Sequence, residues 1–336
     1  MPEPKPLRRP PAMTDVAAVA GVSHQTVSRV LNDKGDVRPE TRERVLAAIK
    51  ELGYRRNETA RALASRRSRI IGIITTTGVN YGPSQTLFGV ELAAREAGYF
   101  VTVAALEEFT QETLSETLNM FLGLGVAGIV VISPIQEAAE VLSRLPLDIP
   151  VVAVSSAWSS KSQNIVRVGV DQRQGAISAV NHLLAAGAET VAHIAGPRNW
   201  FDAVEREKGW EEALTKNGKN LGPLLRGDWT AESGYALTKN LIDQGLPDAI
   251  FAANDQTALG ALSALAEADV SVPGEVRVVG FDNEPGAAFF STPLTTVQQN
   301  FDAVGRKAIR SLTSLVDGKD VQDSQTTPDL VVRKSA

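Results

Sequence analysis

From Ile70 onward, short runs of β-branched and aliphatic residues alternate with amphipathic stretches of helix length. This alternation constrains the fold more than any other feature of the chain. The runs IIGIITT, FVTVAAL, GIVVIS, VVAVS, VAHIAG, AIFAAN and VRVVGF are apolar on both faces. Between them lie helical patterns such as ELAARE, AISAVNHLLAAG and QTALGALSALAEA, often ended by Gly. A strand that is apolar on both faces must be covered on both, the condition of a parallel sheet with helices on either side. Seven such runs suit two doubly wound units better than one. In these folds ligands bind beyond the carboxyl ends of the strands or between domains.

The first 69 residues are built differently. Met13 to Tyr54 reads as three short helices: Thr14 is positioned to cap one over 15–20, which stops at Gly21, and Ser23 to cap a second that runs to about Asn32. Pro39 suits the first turn of a third, whose apolar stripe is Val45, Ile49 and Leu52 before Gly53. Three short helices with Gly21-Val22-Ser23 turning between the first two have the proportions of a helix-turn-helix. Residues 55–69, RRNETARALASRRSR, hold six Arg, one Glu and almost no apolar surface, which taken alone reads as a solvated linker. Residues 1–12, rich in charge and proline with no apolar stretch after them, read as a disordered tail and not a secretory signal.

Charge separates these regions. The chain of 336 residues carries a net −5, yet residues 1–69 hold 15 Lys/Arg against 8 Asp/Glu and the remainder is net −12. A basic head on an acidic body is expected where only the head meets a polyanion. The 43% hydrophobic and 22% charged composition is that of a soluble protein, and no apolar run is long enough to span a bilayer. With no cysteine, disulfides, thiol catalysis and thiolate metal sites are excluded. Nothing points to export, so the expected location is the cytoplasm.

Enzyme chemistry finds no support. Gly123-Leu124-Gly125-Val126-Ala127-Gly128 matches the G-x-G-x-x-G dinucleotide pattern, but a helical stretch precedes it and a strand follows, the reverse of the order that places phosphate on a helix N-terminus. It reads as a helix C-cap and turn. The three histidines, His24, His182 and His193, have no metal-ligand spacing, and no nucleophile elbow or P-loop occurs. We expect no enzyme activity, cofactor or metal.

In the second helix, His24, Gln25 and Arg29 fall within an arc of ~140° while Val27, Val30 and Leu31 turn inward. Arg suits guanine O6/N7, Gln suits adenine N6/N7, and the hydroxyls of Thr26 and Ser28 suit phosphates or bases. On a lone helix the same face would read as ordinary polar surface.

The string Thr14-Asp15-Val16-Ala17, Ala20-Gly21-Val22-Ser23, Thr26-Val27-Ser28-Arg29-Val30-Leu31-Asn32, continuing through Val37, Thr41-Arg42-Glu43-Arg44-Val45 and Leu52-Gly53-Tyr54, resembles the headpiece of the lactose-repressor (LacI/GalR) family. The resemblance implies a DNA-binding set of Thr14, Ser23, His24, Gln25, Thr26, Ser28, Arg29, Asn32, Tyr54, Asn57, Ala60 and Leu63. It recasts residues 55–69 as the family's hinge, in which a leucine at the place of Leu63 wedges into a minor-groove step. It extends over nearly the whole chain after residue 12. Ile70-Ile71-Gly72, the V-x-x-D-x-x-x-G of 168–175, Ala195-Gly196-Pro197, Gly227-Asp228-Trp229, Ala253-Asn254-Asp255, Val279-Gly280-Phe281-Asp282 and Leu294-Thr295-Thr296-Val297 all have family counterparts.

The expected architecture is therefore α/β: a helix-turn-helix headpiece (13–54), the hinge (55–69), and a periplasmic-binding-protein-like body of two doubly wound lobes, 70–167 with 296–330 and 168–295, joined by three crossovers. The implied effector-binding residues are Thr76, Pro83, Ser155, Arg206, Trp229, Asn254, Asp282 and Gln299. A donor fork, an amide, a carboxylate and a flat indole suit sugar hydroxyls and a C–H face. Taken singly, Asn254 could merely cap the next helix and Trp229 could be core. Within the family the chain follows the lactose-repressor branch at Gly227-Asp228-Trp229, Gln299 and Pro83-Ser84-Gln85, but carries Ser155 and Ile132 where that branch has Asp and Asn, and Asp202 where it has Ser.

The expected function is a sequence-specific transcriptional regulator, a repressor of carbohydrate-utilisation genes. It binds a pseudo-palindromic operator and is released by a small sugar, with a galactoside ahead of another hexose or a purine. A sugar-binding protein with no DNA role is the alternative class, which the basic head argues against. No leucine heptad follows the last strand, so a homodimer is expected.

Overall fold

Val16, Ala17, Ala20, Val27, Val30, Val45, Ala48 and Tyr54 gather into one small core, and three helices are the means of bringing them together. The computed structural model describes residues 11–31, 35, 37–54, 68–78, 80–133, 135–144, 148–157 and 164–336. The helices are α1 (Met13–Ala20), α2 (His24–Leu31) and α3 (Pro39–Leu52). Gly21 and Gly53 close α1 and α3 with φ of 63° and 62°, a left-handed conformation that glycine adopts without a Cβ clash. Ser23 caps α2, its Oγ accepting from the Thr26 amide at 3.2 Å. Thr14 does not cap α1. The helix starts two residues earlier, and the Asp15 carboxylate accepts from the Ala12 amide at 2.7 Å instead. The tail lies outside the described residues except Pro11 and Ala12, and the hinge except Ser68 and Arg69; Asn32, Asn57, Ala60 and Leu63 are outside them as well.

The second unit, Ser68–Ala336, holds two six-stranded sheets. The first contains β1 (Ile70–Thr76), β2 (Phe100–Leu106), β3 (Gly128–Ile132), β4 (Val151–Val154), β5 (Ile165–Val170) and β11 (Ser324–Thr326), in the order β11-β5-β4-β3-β1-β2, all parallel. The second contains β6 (Val191–Ala195), β7 (Leu224–Arg226), β8 (Ala249–Ala252), β9 (Arg277–Asp282), β10 (Thr295–Gln298) and β12 (Asp329–Val331), in the order β12-β10-β9-β8-β6-β7. Only β12 runs antiparallel to its neighbour. Each sheet has a buried apolar cluster on both faces, so strands such as β3 and β8 are buried at every residue.

The chain passes between the sheets three times, after β5, after β10 and after β11. These crossings shift two expected boundaries. Strand β5 stays whole in the first sheet through Val170, beyond the boundary expected at 167, because Ser324–Thr326 pair with Val168–Val170. Strand β10 pairs with β9 and so belongs to the second sheet, although 296 was expected to open the return. The G-x-G-x-x-G segment is the end of helix Gln111–Gly123, a turn with Gly125 at φ 66°, and the start of β3. Among the described residues no helix is long and apolar enough to cross a membrane, and no group of three or more His, Asp or Glu is placed to hold a metal.

Candidate functional site: a polar cavity between the lobes

A cavity lies between the two lobes of the body, where the carboxyl ends of both sheets face each other. Most of the polar residues that line it leave a strand or open a helix. From the second lobe come Arg206 on helix Phe201–Lys216, Trp229 just after β7, Asn254 at the start of helix Asp255–Glu267, and Asp282 at the end of β9. The first lobe supplies Tyr81 and Pro83 from helix Tyr81–Glu96, Ile132 from β3 and Ser155 from beyond β4. Two further residues sit on the crossovers: Gln172 follows β5, and Gln299 follows β10.

Four buried side chains close a hydrogen-bonded ring. Arg206 Nε donates to Gln172 Oε1 at 2.9 Å, and Gln172 Nε2 donates to Gln299 Oε1 at 2.8 Å. Gln299 Nε2 then donates to Asp282 Oδ1 at 2.6 Å, and Arg206 Nη2 reaches the same oxygen at 3.4 Å. Arg206 also donates through Nη1 to the Ala253 carbonyl, and its guanidinium lies 3.7 Å from the Phe281 ring centroid. A buried guanidinium is tolerable only when its donors are satisfied this fully. Burial raises the pKa of Asp282 to about 6, against the pull of Arg206 and the Gln299 hydrogen bond. The carboxylate thus titrates about two units above an ordinary aspartate.

Asn254 is committed in part to structure. Its Oδ1 caps the following helix through the Thr257 amide at 2.9 Å, and its Nδ2 donates to the Trp229 carbonyl at 3.0 Å. Trp229, at φ 77°, is held in a conformation unusual for a non-glycine residue, and Asp282, at φ 104°, is another. Such strain persists only where the surroundings over-determine it. For Trp229 one determinant is Gly196, since a Cβ there would stand 2.4 Å from the indole. The missing side chain gives the indole its seat.

All the effector-binding residues expected from the sequence line this cavity except Thr76. Thr76 ends β1 with its hydroxyl buried and does not reach the wall. Gln172, Tyr81, Trp200 and Phe301 were not anticipated. Gln172 stands inside the V-x-x-D-x-x-x-G motif, a signal available in the sequence but spent on the crossover. Trp200, directly before a helix that follows Ala195-Gly196-Pro197, gave no local signal. Ile132 and Asp202, singled out as departures from the lactose-repressor branch, both line the wall.

In the head, His24, Gln25 and Arg29 are exposed along α2, as are Thr14 and Ser23, while Thr26 and Ser28 are half-buried. Tyr54 belongs to the head's core, so its ring is spent on packing.

A helix-turn-helix head carried on a two-lobed body with a ligand-sized cavity defines a ligand-responsive DNA-binding regulator. Comparison with known proteins makes the class particular. Residues 12–57 match the description "Bacterial regulatory proteins, lacI family", and residues 180–336 match "Periplasmic binding protein-like domain". The chain belongs to the lacI family. It is 33% identical to the lactose operon repressor of Escherichia coli strain K12 over 332 residues, covering 97% of this chain and 91% of that one. It is also 32% identical to the HTH-type transcriptional repressor PurR of Histophilus somni strain 2336, over 96% of this chain and 97% of the relative. A crystal structure of the lac repressor dimer bound to operator and the anti-inducer ONPF superposes with a TM-score of 0.86 at 32% identity, covering 97% of this chain and 99% of that one. These relatives are transcriptional repressors, not enzymes.

Proposed function

We propose that this protein represses genes of carbohydrate use in the cytoplasm by binding a pseudo-palindromic operator as a homodimer, and that a hexopyranoside, a galactoside first among them, releases it. The observation that carries the effector reading is the convergence of Arg206, Asn254, Asp282, Gln299 and Trp229 on one cavity between the lobes. Donors, acceptors and a flat apolar face within a few ångströms are what a sugar ring needs. The exposed row His24, Gln25 and Arg29 on α2 supports major-groove reading, with Thr14, Ser23, Thr26 and Ser28 placed for phosphates or base edges. A sugar that binds one lobe arrangement better than another shifts the equilibrium by that difference alone, and the heads read it out.

A purine is the competing effector, since the same polar edge and indole would serve a flat base. Calorimetric titration of the full chain against galactosides, glucosides, pentoses and purines decides between them. The expected result is a galactoside in first place, with the same compound releasing operator DNA in a mobility-shift assay. A purine or pentose in first place would overturn the sugar assignment and leave the regulator standing.

A further inference from the structure

We propose that the cavity takes a hexopyranoside carrying a protonated amine, whose ammonium pairs with the carboxylate of Asp202. This rests on the sugar reading above and sharpens it to a cationic sugar.

Charge balance carries the first part of the argument. Among the described residues that line the cavity three are charged, Arg206, Asp282 and Asp202, with no lysine or histidine beside them. Arg206 and Asp282 belong together. They meet at 3.4 Å, Gln299 donates to Asp282 as well, and the other nitrogens of Arg206 are committed to Gln172 and the Ala253 carbonyl. Asp202 is the charge left over. It stands one helical turn before Arg206 on helix Phe201–Lys216, the spacing at which two such residues ordinarily pair, yet the guanidinium reaches across to Asp282 instead.

What compensates Asp202 is weaker than a cation. The positive end of its own helix offsets part of the charge, and the Ser156 hydroxyl supplies one hydrogen bond. Burial raises the pKa of the carboxylate, against the pull of Arg206 and Ser156 and with the push of Glu205. A carboxylate kept from water without a counter-ion is costly to hold, and a ligand that fills the cavity removes more of its water. A ligand hydroxyl returns one hydrogen bond. An ammonium returns the hydrogen bond and the missing charge together, and charge-assisted contacts are the stronger kind.

The surroundings suit a cation on a second count. Trp200, two residues before Asp202, packs on Trp229 with ring centroids 5.2 Å apart, and both indoles line the cavity. Indole faces attract ammonium groups. The Arg206 guanidinium already lies 5.6 Å from the Trp229 ring, so a cation beside an indole is a feature of this wall. Across the cavity, Ile132, Val154 and Val170 bring no charge to compete with Asp202.

The test is calorimetry on the full-length protein at pH 7, where sugar amines carry a proton. The probes are methyl β-galactoside and its monoamino-deoxy analogues, one for each hydroxyl replaced, and the matching glucoside set. At least one amino sugar should bind about tenfold tighter than its hydroxyl parent, the scale of one added charge-assisted contact. Asp202→Asn keeps the shape, removes the charge and should bring that ratio to one or below, while Asp202→Glu should keep it above one. The ratio compares two ligands on one sample, so a partly misfolded variant does not imitate the result. No amino sugar tighter than its parent, or an Asp202→Asn loss equal for amine and parent, would overturn the cation site and leave the sugar reading intact. Failure of every sugar beside tight binding of a purine would overturn both.

Discussion

Asp282 sets the pH behaviour of the cavity. Ionised, it accepts from Gln299 and Arg206; protonated, it loses an acceptor and weakens its hold on Arg206. With its pKa raised to about 6 by burial, effector affinity should fall as the pH drops from 7.5 to 5, with the midpoint near 6. Asp282→Asn should bind weakly throughout and show no such transition in a calorimetric pH series. Gln172 is the link that sequence reading could not supply, because its partners lie 34 and 127 residues away along the chain. Gln172→Ala leaves Arg206 Nε and Gln299 Oε1 unpaired, at a cost of about 1–3 kcal/mol in urea unfolding. Arg206 and Asp282 themselves were legible, since each stands in a motif string; their pairing was not. His193 is buried in β6, stacked on Phe251 at 4.7 Å, and burial lowers its pKa to about 4. Folding therefore expels a proton between pH 6.5 and 4, and stability from this group is lost as the pH falls through that window. On the order of 3 kcal/mol of acid sensitivity should disappear in a His193 variant that folds with a neutral side chain.

At the scale of elements, the alternation of apolar runs and helical patterns made the two doubly wound units legible, because parallel strands buried on both faces must be covered on both; the strand order within each sheet was not legible, since it is set by pairing between distant segments. The boundaries moved where pairing, not hydrophobicity, decides: β5 and β10 end three residues past the expected crossings because β11 and β9 pair with them there. Helix α1 began early for a similar reason, as Asp15 served as the capping group that Thr14 was expected to be. Two elements invite direct tests. Arg29, exposed on α2, should grip a base edge; Arg29→Ala should weaken operator binding by about 1–3 kcal/mol and relax preference at one base pair per half-site. Equal loss on random DNA would make it a phosphate contact. Behind Trp229, Gly196→Ala puts a methyl 2.4 Å from the indole and must displace it, so effector affinity should fall several-fold while fluorescence reports a moved tryptophan.

For the whole molecule, the charge division between a basic head and an acidic body predicts strongly salt-dependent DNA binding and salt-insensitive sugar binding. Operator affinity measured between 50 and 200 mM salt should drop by orders of magnitude while the calorimetric sugar affinity stays level. Analytical ultracentrifugation should find a dimer at micromolar concentration and no tetramer.

The three crossovers have a mechanical consequence. Lobes joined by one strand of chain could swing in any direction, whereas three parallel connections restrict them to opening and closing about a line through those connections. Gln172 and Gln299 sit on two of the three, and both belong to the hydrogen-bonded ring at the cavity floor. Two residues of the cavity's hydrogen-bonded ring are therefore fixed to the connections about which the lobes would turn. A ligand that alters this ring should therefore act on the connections directly, with no chain of intermediaries between the cavity and the line about which the lobes move.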